Sequence, residues 1–543
     1  MKNQYFKFAS LFFLVVISNE IIAQDKRTSK PNILFIAVDD LKPLMGCYGN
    51  TMVKTPNIDK LAKIATVFNK NYCQQAICGP TRASLMTGSR PDVTKIWNLT
   101  TQMRDVNPAI VTLPQYLITQ GYTTSGIGKI YHPSSAIGGV DPVSWSIPYL
   151  KSKESDFPAE LGLPANSQYQ LPETKARMTP DIIAERKQQN KDLAANDENP
   201  KSIKGPSTEC LDLPDNAYQD GVNALLAKDQ IIALSKSDKP FFMAVGFSKP
   251  HLPFVAPKKY WDLYKREEMP IASFQEHSKN GPLIAYHQSG ELRNYLDIPE
   301  FATLPADSLR IGLKIEKQRA LIHGYYAAIS YMDAQVGILL NTLESLGTLD
   351  NTIIVLWGDH GWHLGDHDLW HKHTNFEEAT RAPLIIAGPR IKSGKTNSLT
   401  EFVDVFPTIC DLAGVAIPKN LDGKSLKPLM LNNKAKGKEY AISQYPRKLK
   451  KAEMAKLGYT DAKMMGYSLR TDQYRYTIWM NNFNSKEAFN ESQVYASEMY
   501  DYVKDPLEKV NVVNDKNYTT TSAALKSKMI TFFKSQAAKQ LAE

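Results

Sequence analysis

Residues 32–40 read Asn-Ile-Leu-Phe-Ile-Ala-Val-Asp-Asp. An unbroken apolar run of this length has no solvent face, so it reads as a strand covered on both sides. Similar runs recur at Thr123–Ile127, Pro240–Phe247, Thr352–Trp357 and Pro383–Ala387. Helical periodicity fills the intervals at Thr55–Ile64, Leu113–Gln120, Val222–Ser235 and Gln318–Leu346. Strands alternating with helices predict an α/β fold, a large and mostly parallel sheet flanked by helices on both faces. Ligands of such sheets bind beyond the carboxyl ends of the strands.

After about residue 435 the pattern changes. Glu439–Gln444, Met465–Arg470 and Tyr474–Met480 read as antiparallel strands, the last two joined by Thr471-Asp472-Gln473 as a hairpin. Ser522–Leu541 reads as a closing helix. The expectation is a smaller C-terminal α+β subdomain, residues 436–543, after a catalytic domain at 24–435. Two irregular stretches, Lys151–Asn216 and residues 266–312, are long for connections and are expected to wall a cleft or decorate the surface.

The N-terminus has Lys2 and Lys7, an apolar core from Phe8 to Ile17, and a small residue at Ala23. That is the pattern of a signal peptide over residues 1–23, so export to the periplasm or medium is expected. No later apolar run is long enough to span a bilayer, and no Cys near the cleavage point supports a lipid anchor. The formal charge is +9, and +8 without Lys2, Lys7 and Glu20. A positive field favours anionic substrates, though it equally serves solubility. No nucleic-acid partner is expected. Cys47, Cys73, Cys78, Cys210 and Cys410 make an odd set, so at least one is unpaired or otherwise used.

Several strand ends carry chemistry. Asp39-Asp40 follows the first strand, and Asp359-His360-Gly361 follows Thr352–Trp357. Three carboxylates converging there would repel each other unless a cation neutralises them, and oxygen donors favour calcium. Gly128-Lys129-Ile130-Tyr131-His132-Pro133 and Lys249-Pro250-His251 each place a Lys and a His past a core strand. Such pairs supply charge stabilisation and proton transfer near neutral pH. Cys78-Gly79-Pro80-Thr81-Arg82 opens a helix, with Pro80 suited to its first turn and Gly88 near its end. A helix start favours an anion at Cys78, and Arg82 lies one turn on. Five of the ten His fall between Asp359 and His373, so a zinc site there is a second reading. Lys372 with Trp362 and Trp370 suggests a pocket for a charged sugar-like group.

With these segments in view the sequence resembles the type I sulfatases of the alkaline phosphatase superfamily, and within them the iduronate-sulfatase-like subgroup. The resemblance rests on Pro31–Asp40, Cys78–Arg82, Gly128–Pro133, Lys249–Phe254, Asp359–Lys372, Ser443–Arg447 and Met465–Trp479. It implies an alkaline-phosphatase-like fold and a sulfuric ester hydrolase. A maturation enzyme would convert Cys78 to formylglycine, hydrated to a diol. Asp39, Asp40, Asp359, His360 and the formylglycine would surround one calcium ion. Many sulfatases have Asn where His360 stands, but this subgroup has His. Arg82 would stabilise the diol oxygen, Lys129 and Lys372 would hold sulfate, His251 would protonate the leaving alcohol, and His132 would deprotonate the second diol oxygen. The implied substrates are sulfated carbohydrates, either glycosaminoglycans or algal polysaccharides such as ulvan. Two other readings stay open: a phosphoester or phosphonate hydrolase of the same superfamily, and an inactive binder of sulfated glycans.

Overall fold

A computed structural model describes residues 30–181, 204–298, 312–449, 463–481 and 489–542. The expected signal peptide lies outside them. In chain order the strands are β1 (Asn32–Val38), β2 (Ala65–Tyr72), β3 (Thr123–Gly128), β4 (Thr208–Leu211), β5 (Phe241–Phe247), β6 (Phe254–Pro257), β7 (Thr352–Gly358), β8 (His363–Leu364), β9 (Trp370–His371), β10 (Leu384–Ala387) and β11 (Gly394–Glu401). They are followed by β12 (Ala441–Lys448), β13 (Lys463–Arg470), β14 (Tyr474–Met480) and β15 (Val494–Asp501).

The main sheet has seven strands in the order β11-β2-β10-β7-β1-β5-β3. All neighbours are parallel except β10, which runs against both β7 and β2. The expected mostly parallel sheet is therefore present, with one reversed strand. β2 and β11 were not expected. Their sequences, Ala-Thr-Val-Phe-Asn-Lys-Asn-Tyr and Gly-Lys-Thr-Asn-Ser-Leu-Thr-Glu, are interrupted by polar residues: β11 is the edge strand, and β2 is its inner neighbour with Asn69 and Lys70 only partly buried.

The core explains the continuous apolar runs. Leu34, Ile36 and Val38 face the long helix Ile315–Ser345 and the helix Gln219–Leu234 on one side. Ile33, Phe35 and Ala37 face the other side, with Leu85 and Met86 of the helix Cys78–Thr87, Leu113 and Leu117, and Phe406. Each larger side chain so covered contributes roughly 1.5–3 kcal/mol relative to exposure. The central strands thus need apolar residues at every position.

β12-β13-β14-β15 form a separate antiparallel sheet. β13 and β14 make the expected hairpin, with the Thr471 amide donating to the Tyr474 carbonyl at 2.8 Å. The closing helix spans Thr519–Ala542 and packs Leu525, Met529, Phe532 and Phe533 on Tyr467, Leu469 and Ile478. β12 also lies on the loop after β2. The Gln444 amide donates to the Gln74 carbonyl at 2.7 Å, and Ser443 Oγ donates to the Cys73 carbonyl at 2.6 Å.

The described parts of the Lys151–Asn216 stretch are ordered against the body. Glu209 on β4 accepts the amides of Gln170 and Leu171 at 2.8 and 2.9 Å, and β4 pairs in parallel with β6. No cysteine is in a disulfide. No helix among the described residues is long and apolar enough to cross a membrane.

Candidate active site

Five strand ends point the same way and deliver the side chains. Asp39 and Asp40 leave β1, and Asp359 and His360 leave β7 beside it. Lys129 and His132 leave β3, Lys249 and His251 leave β5, and the loop after β2 leads into the helix at Cys78. The pairing continues one residue past the strands. The Asp39 amide donates to the Phe247 carbonyl at 3.1 Å, and the Asp359 amide to the Val38 carbonyl at 3.2 Å. Asp40 adopts φ 59°, a left-handed conformation that Asp tolerates, and its amide donates to Asp359 Oδ1 at 3.0 Å. Tyr325 of the long helix donates its hydroxyl to the Asp40 carbonyl at 2.6 Å.

Gly246 sits where β5 meets the Lys129 turn. A Cβ there would lie 2.3 Å from the Lys129 carbonyl carbon, so only glycine permits this approach.

The helix Cys78–Thr87 is buried along its whole length. No side chain caps its first turn, and Gly88 ends it at φ 64°. Cys78 Sγ lies 3.4 Å from His360 Nε2. His360 Nε2 is also 3.4 Å from Asp40 Oδ1 and 3.6 Å from Asp359 Oδ1. Arg82 has no solvent exposure. It donates Nε to Asp359 Oδ2 at 2.9 Å, Nη2 to Asp39 Oδ1 at 3.1 Å and Nη1 to the Ile130 carbonyl at 3.2 Å. Its guanidinium is therefore held by two of the carboxylates.

Lys129 is paired with Asp39. Lys372 Nζ lies 3.0 and 3.1 Å from the two Asp40 oxygens and 4.9 Å over the Trp362 ring. Three carboxylates, Asp39, Asp40 and Asp359, thus face three cations, Arg82, Lys129 and Lys372. Burial raises the Asp39 carboxyl, but Lys129, His251 and Arg82 outweigh it and hold it well below the usual range. Burial wins at Asp40, whose carboxyl is raised despite Lys372. Burial, aided by Asp39, pushes the Cys78 thiol well up, so the unmodified thiol is a poor nucleophile here. His132 sits at the rim, half-buried, and is pushed down to about 3 by burial and by Lys129.

The residues fit a divalent cation. Donor atoms of Asp40, Cys78 and His360 lie within 4.8 Å of one another, as do those of Asp39, Cys78 and Asp359. The two groups share residue 78, and three of their members are carboxylates, which suits an oxygen-binding ion. Glu291, His371 and His373 form another such group, although Glu291 is already paired with Lys372 at 2.8 Å.

Two sequence expectations change. Trp362 and Trp370 are 1% and 2% exposed, so they belong to the core instead of lining a sugar pocket; Trp362 underlies Lys372. Lys249 turns away from the centre. Its ammonium donates to the carbonyls of His251 and Pro253 at 2.9 and 2.7 Å and to Gln168 at 2.7 Å, and burial lowers it to about 8. It therefore shapes the loop that carries His251.

Glu291 was missed. It lies on the short helix Gly290–Arg293, within the stretch read as irregular. Its carboxylate is 3.0 Å from His251 Nε2 and bonds Lys372 Nζ, bridging two groups assigned to the site. The segment is fixed to the Lys372 loop, since His287 Nε2 meets the Lys372 carbonyl at 2.7 Å and the Trp370 amide donates to Ser289 Oγ at 3.1 Å. A lone Glu in an aperiodic stretch carries no sequence signal for this.

The sulfatase family matches residues 31–415, and the C-terminal part of N-sulphoglucosamine sulphohydrolase matches residues 365–535. Iduronate 2-sulfatase of Homo sapiens is 33% identical, over 90% of this chain and 92% of its own length. A sulfatase of Formosa agariphila is 29% identical, over 97% of this chain and 92% of its own. Among solved structures, BT4656 in complex with D-glucosamine-2-N,6-O-disulfate superposes with a TM-score of 0.66 at 22% identity, covering 94% of this chain and 98% of its own. The phosphonate monoester hydrolase of Agrobacterium radiobacter gives 0.65 at 22% identity, covering 93% and 96%. At that identity these two speak for the fold alone. Sulfatases generally use a formylglycine and a divalent metal. The chain belongs to the sulfatase family and is a sulfuric ester hydrolase.

Proposed function

We propose that this enzyme removes sulfate from a sulfated carbohydrate, with Cys78 matured to formylglycine by a dedicated enzyme. The observation that carries the reading is the meeting of Cys78 with Asp40, Asp359 and His360 above the buried Arg82.

When bound, a cation held by Asp39, Asp40, Asp359, His360 and the residue 78 side chain, calcium in this reading, supplies positive charge beside the oxygen nucleophile that formylglycine provides. Arg82 is a positioning residue that fixes two of the carboxylates. Lys129 and Lys372 bind the sulfate oxygens as charge develops on them. His251 gives a proton to the departing sugar oxygen. His132, neutral at pH 7, takes a proton from the residue 78 side chain so that sulfate is released. The charges suit this assignment. Arg82, Lys129 and Lys372 face Asp39, Asp40, Asp359 and Glu291, so the side chains carry no excess of positive charge and a divalent cation supplies what a sulfate ester and an anionic nucleophile need.

The similarity to iduronate 2-sulfatase favours a uronate-containing substrate, either a glycosaminoglycan or an algal polysaccharide such as ulvan. Removal of residues 1–23 on export, a catalytic domain at 24–435 and a subdomain at 436–543 complete the proposal. Sulfate release from a panel of defined sulfated oligosaccharides tests it, with aryl sulfate and aryl phosphate esters in parallel. Preference for the phosphate ester overturns it, and so does activity that survives exhaustive chelation.

A further inference from the structure

Away from the catalytic centre, a cavity of 320 Å³ opens between β2 and β11, lined by Tyr48, Asn69, Lys70, Glu377, Arg381, Lys395, Asn397 and Arg470. Four cations face one carboxylate. That carboxylate is spent: Glu377 accepts Arg470 Nε at 3.1 Å, Arg475 Nη2 at 2.6 Å and the Tyr72 hydroxyl at 2.9 Å. Two guanidiniums therefore cancel it before its charge reaches the cavity.

The remaining cations are weakly engaged. Arg381 uses Nε on the Asn69 carbonyl at 2.7 Å, which anchors the side chain in the cavity wall. Lys395 is exposed on β11. Lys70 pairs with Asp472 at 2.9 Å, but that Asp side chain is 77% exposed, so solvent screens the pair. Asn69 and Asn397 bond one another at 2.8 Å on the cavity wall. Arg470 is 5% exposed and is held 3.8 Å from the Tyr502 ring, so the floor is rigid. A fixed guanidinium fork, two ammonium groups and amide donors make a receptor for a planar or tetrahedral oxyanion.

We propose that this cleft is a second, non-catalytic anion site that holds a distant sulfate group of a polymeric substrate. The proposal rests on the sulfated-carbohydrate reading, and it deepens that reading by assigning a multiply sulfated chain as the substrate class. The cleft lies behind the segment that carries Asp359 and Lys372. Arg381 ends the short helix Glu377–Thr380, and the Ala379 carbonyl of that helix accepts the Gly361 amide at 2.8 Å. Neither Arg381 nor Lys395 touches a residue assigned to the reaction.

The test is the double variant Arg381→Ala/Lys395→Ala, made both in the active enzyme and in the Cys78→Ala background. Binding to heparin, to chondroitin sulfate and to their chemically desulfated forms is measured by affinity electrophoresis at several salt concentrations. We expect the double variant to lose about fivefold or more in affinity for the sulfated polymers and to show a shallower salt dependence. Its kcat/KM for 4-nitrophenyl sulfate should stay within about twofold of wild type. Unchanged polymer affinity overturns the proposal, as does wild type that binds no sulfated polymer. Equal binding of the desulfated forms shows that the cleft reads carboxylates and overturns the sulfate assignment. A parallel fall in aryl sulfate turnover shows damage to the catalytic centre and overturns it too. If wild type hydrolyses no sulfate ester, the enzymatic reading fails by itself, and the binding arm still decides the cleft.

Discussion

Arg82 and Asp359 meet as a fully buried ion pair, Nε to Oδ2 at 2.9 Å, and neither side chain reaches solvent. The same guanidinium holds Asp39. Lysine offers one ammonium and cannot span both carboxylates together with the Ile130 carbonyl. Arg82→Lys is therefore expected to cost about 3 kcal/mol or more in urea unfolding and to reduce sulfate release at least about a hundredfold.

Cys78→Ala should abolish sulfate release while leaving the fold intact, since the lost thiol is small and makes no strong hydrogen bond. Near-native circular dichroism with zero turnover is the expected pair of results. In wild type, the tryptic peptide carrying residue 78 should weigh about 18 Da less than the cysteine form, from replacement of thiol by aldehyde. A fully active alanine variant would sink the assignment.

Glu291 occupies two donors that a sulfate ester needs, Lys372 Nζ and His251 Nε2. It acts as an internal competing anion. Glu291→Gln should lower KM for 4-nitrophenyl sulfate by about two- to fivefold, a gain of up to about 1 kcal/mol in ground-state binding. A raised KM would show instead that Glu291 positions the two cations.

Glu377 ties the catalytic sheet to the C-terminal sheet through Arg470 and Arg475. Burial opposes its ionisation, but the two guanidiniums prevail and hold it down at about 2, against 4.5 for a free Glu. A lowered carboxyl contributes stability above the unfolded value and loses it as pH falls through the folded value. The contribution is roughly 3 kcal/mol at neutral pH. Urea melts should therefore show Glu377→Gln less stable by about that amount at pH 7, with the gap closing between pH 4.5 and 2.

Gly246→Ala should disturb the site without replacing a charged side chain. Its methyl would press on the Lys129 carbonyl carbon from 2.3 Å and displace the turn that carries Lys129. Overpacking of this kind costs about 3 kcal/mol or more, and the loss should appear both in thermal melts and in kcat.

The parts of the fold that were legible are those whose surroundings leave the sequence no choice. β1, β5 and β7 are buried on both faces, so their residues are apolar throughout. Asp39, His251 and Asp359 follow such strands and inherit their position from them, and Lys129 follows the edge strand β3. β11 escaped because an edge strand tolerates Asn, Lys and Thr, and β2, its inner neighbour, because Thr66, Asn69, Lys70 and Asn71 break its apolar run. Trp362 was misread because an aromatic beside a Lys has the same sequence appearance in a sugar platform and in a core that supports the Lys from below. Glu291 was invisible because its place depends on hydrogen bonds from His287 and Ser289 to a loop about eighty residues away in sequence.

The seating of β12 on the loop after β2 sets an order of events. Cys78 is 3% exposed, and the loop that leads to it is held by Ser443 and Gln444, which the ribosome delivers long after the cysteine. Any catalyst that matures Cys78 must reach it while the chain is still incomplete or unfolded. On the proposal that Cys78 is matured, a molecule that missed its oxidation before the last sheet docked would stay a thiol, and the fraction of active enzyme would be decided by a race between synthesis and modification.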